Sequence, residues 1–453
     1  MDSENDELPD GWTVSTVGEL GQVQLGKMLD RAKNQGSPVS YLRNISVRWF
    51  DFALEDLKSV RVSDEELARF SVEDGDLFIC EGGEPGRCAV WRNGSNTMVY
   101  QKALHRFRTK GAILPVLLMY RLRQEAEIGR LHEWFSGSTI KHLTRENFVK
   151  FEVPVPPLAE QKRIADKLEA VLGRVDACRA RLDRVPALLK RFRQSVLAAA
   201  TSGKLTEEWR MTNGVNDEWE SKELGSLTFD GPKNGLYKSS TSYGQGVRIL
   251  RIDNFYAGYT SSWEGLKRLT VSDAELNDFG LEVGDIVVNR VNSMSHLGKS
   301  ALIRDLPEPC VFESNMMRLR LHVTQIMPEF GILVLTSVSG IGQLQQNAKQ
   351  AVNQASINQT DVKSVKVALP TLPEQQEIVR RVEELFALAD RIEARLAVVR
   401  RTADRLTPAV LAKAFRGELV PQDPNDEPAS VLLERLQSQA AAQPARAPRK
   451  KRA

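Results

Sequence analysis

The sequence predicts an α+β, multidomain chain: two α/β globular units joined by two long antiparallel coiled-coil helices, arranged as a pseudo-two-fold internal repeat. Three observations predict it. The stretch LAEQKRIADKLEAVLGRVDACRARL, beginning at Leu158, recurs as LPEQQEIVRRVEELFALADRIEARL, beginning at Leu372, without a gap and at an offset of 214 residues. Matched pairs include Glu160/Glu374, Gln161/Gln375, Ile164/Ile378, Glu169/Glu383, Asp176/Asp390, Leu182/Leu396, Val196/Val410 and Gly203/Gly417. Apolar residues in each copy step by four and three, the spacing of a coiled-coil seam. The segments before each helix also repeat, more weakly, so that each half reads as a globular unit followed by a helix.

The first unit is expected over residues 1–155. LPDGWTVSTVGEL at Leu8 resembles VNDEWESKELGSL at Val215 and pairs Trp12 with Trp219. YLRNISV at Tyr41 matches ILRIDNF at Ile249, and FSVEDGDLFI at Phe70 matches FGLEVGDIVV at Phe279. Short β-rich runs such as DLFICEG and KALHRFR are punctuated by turn residues, and GAILPVLLMYRLRQEAEIGRLH reads as a helix.

The first spacer is expected over 156–212. Its seam is Ile164, Leu168, Val171, Val175, Cys178 and Leu182, and prolines 156 and 157 supply an extended lead-in. The second unit follows over 213–369, with β-rich runs DIVVNRV and MMRLRLHV and a helical MPEFGILVLTSVSGIGQLQQ. The second spacer, over 370–424, carries the seam Ile378, Val382, Leu385, Ala389, Ile392 and Leu396. Pro186 and Pro408 each remove a helical hydrogen bond at non-corresponding positions, so the two copies should bend differently. Residues 425–453 end in AAAQPARAPRKKRA, and this basic tail is expected to be flexible.

Composition narrows the function. With 453 residues, 42% hydrophobic and 27% charged, the chain has the make-up of a soluble globular protein, and no apolar run approaches the roughly 18 residues needed to span a bilayer. Its start, MDSENDELPDGW, lacks the cationic and apolar regions of a secretory signal, which favours the cytoplasm. Four scattered cysteines form neither a disulfide framework nor a CxxC metal site, and no metal is expected. A net charge of +3 neither requires nor forbids nucleic acid.

No catalytic motif is complete. HLGKS at His296 mimics the end of a phosphate-binding loop, but Ser293 stands where that loop requires glycine. Gly298-Lys299 also aligns with Gly86-Arg87, so a repeated turn explains the feature better. GxGxxG after a strand, HExxH and a Ser/His/Asp set are all missing. No methyl-donor pocket is legible. The chain is expected to bind no cofactor and to be no enzyme.

The order of globular unit, PPLAEQKRI helix, second unit and LPEQQEIVRRVEELF helix resembles the specificity subunit of type I restriction-modification systems. The resemblance runs from Trp12 to about Leu419. It implies a non-catalytic protein with two target-recognition domains, each reading one half of a bipartite site in double-stranded DNA. It also implies that the helices set the gap and dock two methyltransferase subunits, which would use S-adenosylmethionine, and that restriction (motor-nuclease) subunits then join.

Elementary geometry agrees. A helix from Glu160 to about Val185 would span roughly 39 Å, near one turn of B-DNA at about 34–36 Å. Base reading needs donors and acceptors that reach groove edges. In the first unit the candidates are Arg43, Arg87 and, within FSGSTIKHLTREN, Ser138, Thr139, Lys141, His142 and Arg145. In the second they are Arg251, then Asn289, Arg290, Asn292, Ser295, His296 and Lys299 within VNRVNSMSHLGKS, and Asn353 and Gln354 further on. A solvated turn is the competing explanation for any single one of these; their recurrence before both helices favours DNA. Arg446, Arg449, Lys450, Lys451 and Arg452 of the tail would add nonspecific phosphate attraction. A second class stays open at this level, a coiled-coil adaptor that never touches DNA.

Overall fold

The computed structural model describes residues 8–30, 34–94, 97–215, 218–256, 258–260, 263–351 and 354–442. It divides into two compact units, residues 1–182 with 398–453, and residues 183–397. Each is described by itself.

Unit 1 opens with strand Thr13–Thr16, which pairs antiparallel with Glu152–Val155, the last strand before the first spacer. The two ends of the globular part are thereby tied together beside the helix that follows. Its core is a four-stranded antiparallel sheet in the order Gly21–Leu25, Leu104–Thr109, Leu77–Cys80, Cys88–Val90. A three-stranded sheet of Lys58–Val62, Ser37–Leu42 and Met98–Tyr100 completes it, the last pair parallel. Helix Pro115–Glu127 starts with proline in its first turn, where a missing N–H costs nothing.

Unit 2 repeats the plan. Glu220–Glu223 pairs with Lys366–Leu369, and the central sheet has six strands in the order Thr228–Asn234, Met316–Leu321, Ile286–Asn289, Ser300–Leu302, Gly258–Thr260, Phe255–Tyr256. Local chemistry repeats too. Ser63 and Glu66 form a capping box before helix Asp64–Phe70, as Ser272 and Glu275 do before Asp273–Phe279. The aspartate of each Gly-Asp pair is buried and holds an arginine of a neighbouring strand: Asp76 with Arg108 at 2.7 and 2.8 Å, Asp285 with Arg320 at 2.8 Å.

The spacers are α1 (Leu158–Leu182), α2 (Val185–Thr201) and α3 (Leu372–Phe415). The first copy breaks at Asp183-Arg184, and Pro186 lies in the first turn of α2. The second copy passes Pro408 as one helix of 44 residues, about 66 Å long at about 1.5 Å per residue, longer than a single-turn ruler. In unit 1, Arg179 Nη2 donates to the Ala403 carbonyl at 3.0 Å and Arg400 Nη2 to the Leu182 carbonyl at 3.2 Å, so α1 and the end of α3 run antiparallel. Within unit 2, Arg193 Nη2 bonds Asp390 at 2.6 Å and Arg381 Nη1 donates to the Leu205 carbonyl at 2.8 Å. Helix α2 with the chain just after it therefore runs antiparallel to the start of α3 as well.

The apolar stripe does two jobs. Ile164, Leu168 and Leu172 join a core that contains Leu77 and Leu117 of the globular part and Leu411, Ala414 and Phe415 of α3. Ile378 and Val382 likewise pack with Phe330 and Leu333 as well as Val196 and Ala200. Val175, Ala389 and Leu396 are buried, and Leu182 and Leu385 half-buried. Three seam positions are corrected. Cys178 is exposed, Ile392 is 40% exposed, and Leu172 is more deeply buried than Val171. A straight helix turns every 3.6 residues, so its buried face drifts off a 3.5-residue repeat when a globular domain, not a supercoiled partner, covers its start.

The expected flexible tail is also corrected as far as residue 442. Helix α4 (Ala429–Ala442) follows α3; Ala429 is in the unit 1 core with Leu433 and Leu436 against it, and its N–H donates to the Gly11 carbonyl at 2.9 Å. Arg163 anchors the preceding loop through Asp426 at 2.6 Å. Arg446, Arg449, Lys450, Lys451 and Arg452 lie outside the described residues.

Candidate nucleic-acid interface

In unit 1 the chain crosses closely beneath strand Met98–Tyr100, and only glycine fits there: a Cβ on Gly26 would sit 2.3 Å from the Tyr100 carbonyl oxygen. The backbone then bridges Lys27 to Gln101. Lys27 itself turns inward to an ion pair with Glu66, while the next residue, Met28, is 61% exposed. Beside this bridge, Gln101 Nε2 donates to Asn44 Oδ1 at 3.4 Å and Arg87 Nη2 to the Asn44 carbonyl at 2.9 Å. Gly82 and Gly83 are pressed against the His142 ring and the Asn44 amide. Ser136 and His142 exchange backbone hydrogen bonds of 2.8 and 2.9 Å, which close the base of an exposed loop carrying Ser138, Thr139 and Lys141. Arg87, His142 and this loop therefore converge with Asn44, Gln101 and Met28. Arg145 is exposed, with its Nε donating to the Val23 carbonyl at 2.9 Å. Arg43 spends its guanidinium on Asp56, donating at 2.7 Å to both the backbone and a carboxylate oxygen.

Unit 2 builds the same corner from different residues. Gly235 makes the equivalent crossing, where an added Cβ would sit 2.2 Å from the Glu313 carbonyl oxygen, and Leu236 bridges Glu313. Tyr237, matching Met28, is 81% exposed. Arg251 Nε donates to Glu313 Oε2 at 3.2 Å, and that carboxylate also accepts the Ile252 N–H at 2.8 Å. Lys299 Nζ lies 3.4 Å from the Ile252 carbonyl and 4.7 Å from the Phe255 ring centroid; its burial pulls its pKa below the ordinary lysine value. Gly86 and Gly298 both take positive φ, +88° and +76°, over Leu131 and Leu344, so the GK pair is the repeated turn that the alignment indicates.

The loop before that turn is exposed at Ser295 and His296, whose Nδ1 lies 3.0 Å from the hydroxyls of Ser293 and Ser295. Asn292 sits in a short strand that pairs with Gln354–Ser356. Arg290 Nη1 donates to the Ser314 carbonyl at 3.2 Å. Asn289 is corrected: it ends a strand whose four residues are all buried, and its amide donates to the His296 carbonyl at 3.2 Å, so it shapes the loop from within. Asn353 lies outside the described residues.

Sequence reasoning missed Met28 and Tyr237, because an apolar residue after a strand reads as core. A glycine that the repeat places at corresponding sites, each followed two residues later by an apolar or aromatic side chain, was the available signal. It also read Gln161 and Gln375 only as a matched pair of the repeat. Gln161 and Gln375 are in fact fully buried and bond to the globular parts.

Among the described residues no helix is long and apolar enough to cross a membrane, and no group of His, Cys, Asp and Glu could hold a metal ion.

Two corners of one topology, each offering its own polar and aromatic loops and each carried on a long helix, define a duplicated recognition protein. A family model described as the type I restriction modification DNA specificity domain matches it twice, over residues 9–186 and 216–400. The chain is 30% identical to the type I restriction enzyme EcoKI specificity subunit of Escherichia coli K12, over 96% of its own length and 97% of that protein's. It is 31% identical to the StySPI specificity subunit of Salmonella potsdam, over 96% of each. In fold it resembles the HsdS subunit from Thermoanaerobacter tengcongensis, with a TM-score of 0.61 at 19% identity over 92% of this chain and all of that one. A chain solved in a study of complex assembly and conformational transition of the type I R-M system gives a TM-score of 0.67 at 18% identity, over 91% and 100%. The protein belongs to the type I restriction-modification specificity subunits. It is a DNA sequence-specificity subunit that works in a complex with other restriction-modification subunits, which sets aside the plain adaptor.

Proposed function

We propose that each unit's globular part reads one half of an asymmetric, interrupted DNA site, that the helices fix the unread gap, and that the chain performs no catalysis itself. One observation carries this reading. The same corner is built twice with different chemistry, Met28, Arg87 and His142 in one unit and Tyr237, Lys299 and His296 in the other, so the half-sites should differ. Exposed lysine and hydroxyl groups serve phosphates and base edges, and Tyr237 offers its ring edge and hydroxyl to a groove. Arg43, Arg251 and Arg290 hold neighbouring loops and reach DNA only with the N–H groups left over.

Partner docking has its own support. The spacer stretch of unit 2 exposes Leu188, Leu388 and Ile392, and that of unit 1 exposes Val398, Val399 and Leu406. One apolar patch per unit suits two methyltransferase subunits, each bringing its own S-adenosylmethionine, with restriction subunits joining afterwards; the assembly would act in the cytoplasm.

Binding to duplexes at graded salt tests the reading. Specific binding should fall with a log–log slope of several counterions, and Tyr237→Ala should weaken the cognate duplex about tenfold, on the scale of one lost base-edge contact, while leaving nonspecific binding unchanged. Equal affinity for all sequences would contradict it.

A further inference from the structure

We infer that the Glu-Gln pair opening each long helix, together with an Arg–Glu ion pair two turns further on, forms a set of positioning residues that hold each reading domain at one angle to its spacer and thereby make the chain selective for gap length. The inference rests on the half-site reading above and names the residues that enforce it.

Gln161 and Gln375 make the same three bonds. Gln161 Oε1 accepts the Leu114 N–H at 2.8 Å, and its Nε2 donates to the carbonyls of Ala112 at 2.8 Å and Pro156 at 2.9 Å. Gln375 Oε1 accepts the Met327 N–H at 2.8 Å, and its Nε2 donates to Gln325 and Pro370, both at 2.9 Å. In each unit the amide thus ties the spacer to the residue preceding a proline-initiated helix of the globular domain. The adjacent glutamates reach the opening strand segment: Glu160 accepts Trp12 Nε1–H at 3.0 Å and Glu374 accepts Trp219 Nε1–H at 3.1 Å. Further along, Arg92 meets Glu169 at 2.7 Å and Arg304 meets Glu383 at 2.8 Å.

Three attachments at separate points along a rod fix a body's orientation where one would leave a hinge. Secondary structure alone does not ask for this. The helices need no buried glutamine, and burying an amide at 0% exposure is tolerated only because every polar atom is partnered. Two recognition domains that share little sequence nevertheless keep the same attachments, which points to orientation as the common requirement. A duplex whose gap is one base pair longer displaces the second half-site by about 3.4 Å and rotates it by about 35°. A rigid mount refuses that displacement, and a loosened one follows it.

The test uses the full chain and duplexes bearing both half-sites, with the native gap and with gaps one base pair shorter and longer. In Gln161→Met/Gln375→Met, discrimination against the altered gaps should fall at least tenfold, while discrimination against a wrong base inside a half-site persists. Arg92→Glu/Arg304→Glu should relax gap selection in the same direction, and adding Glu169→Arg/Glu383→Arg should restore it; these exposed pairs decide the matter if the glutamine variants do not fold. Unchanged gap discrimination in a folded variant, or joint loss of gap and base discrimination, overturns the inference. A wild-type chain with no half-site preference would overturn the half-site reading first, and this inference with it.

Discussion

Glu374→Ala is expected to destabilise unit 2 by about 1–3 kcal/mol, the cost of leaving the buried Thr206 hydroxyl, the Trp219 indole and a half-buried Arg210 without their anion. The carboxylate is 1% exposed and accepts from Thr206 Oγ1 at 2.7 Å, Arg210 Nη1 at 2.6 Å and Trp219 Nε1 at 3.1 Å. Its repeat partner should behave differently. Among the described residues Glu160 accepts from the Trp12 indole alone and its Oε1 is buried without a hydrogen bond, while the nearby Arg163 is engaged by Asp426. Burial pushes the Glu160 pKa up, with the Trp12 bond opposing it. A carboxyl whose folded pKa is raised binds more protons folded than unfolded, so its contribution to stability falls as pH rises from the unfolded value through the folded one. Glu160→Gln should remove that pH dependence and change stability by no more than about 1 kcal/mol. Denaturation followed by tryptophan fluorescence at pH 5 and pH 8 reports both. Equal losses for the two positions would show that the repeated glutamates are not distinguished by their surroundings.

The second large effect concerns the gap. Because each spacer stretch is paired antiparallel with another inside its own unit, lengthening one helix alone would strand seven residues without a partner. Seven residues inserted both at the α1–α2 junction and at the matching place in α3, near Ala397, should lengthen the gap by about one to three base pairs at most: about 10.5 Å of helix at about 1.5 Å per residue, against about 3.4 Å per base pair, with the twist of about 35° per base pair holding the shift below that length limit. Seven residues are close to two turns, so the buried faces keep their register. Both half-sites should stay as they are. Sequencing the methylated motif of cells carrying the variant reads this directly, and an unaltered gap would mean that the helices do not set it.

Much of this was legible in the sequence because a duplication writes its signal twice. The matching Glu-Gln pairs, tryptophans and Gly-Asp segments marked the architecture, and each reappears at the corresponding place in both units, the glutamines with matching backbone partners. What escaped was decided by tertiary surroundings. The stripe of α1 looks like a pure coiled-coil seam, yet its start is covered by sheet and helix as well as by α3, which buries Leu172 and leaves Cys178 outside. Asn289 reads as a loop residue among polar neighbours, but it completes an inward-facing strand. The stretch ASVLLERLQSQAAA was hidden by averaging it with the basic residues that follow, although Leu432, Leu433 and Leu436 can share one helical face. At the candidate interface, composition found the polar loops but not which arginines the protein had already engaged.

Sequencing the methylated bases in the genome of cells that express the unaltered chain with its methyltransferase tests the central claim most directly. Two short, dissimilar runs of specified bases, separated by a constant stretch in which any base occurs, are the predicted outcome. A single uninterrupted motif, or two identical runs, would contradict the claim that two different heads read the duplex at a fixed separation.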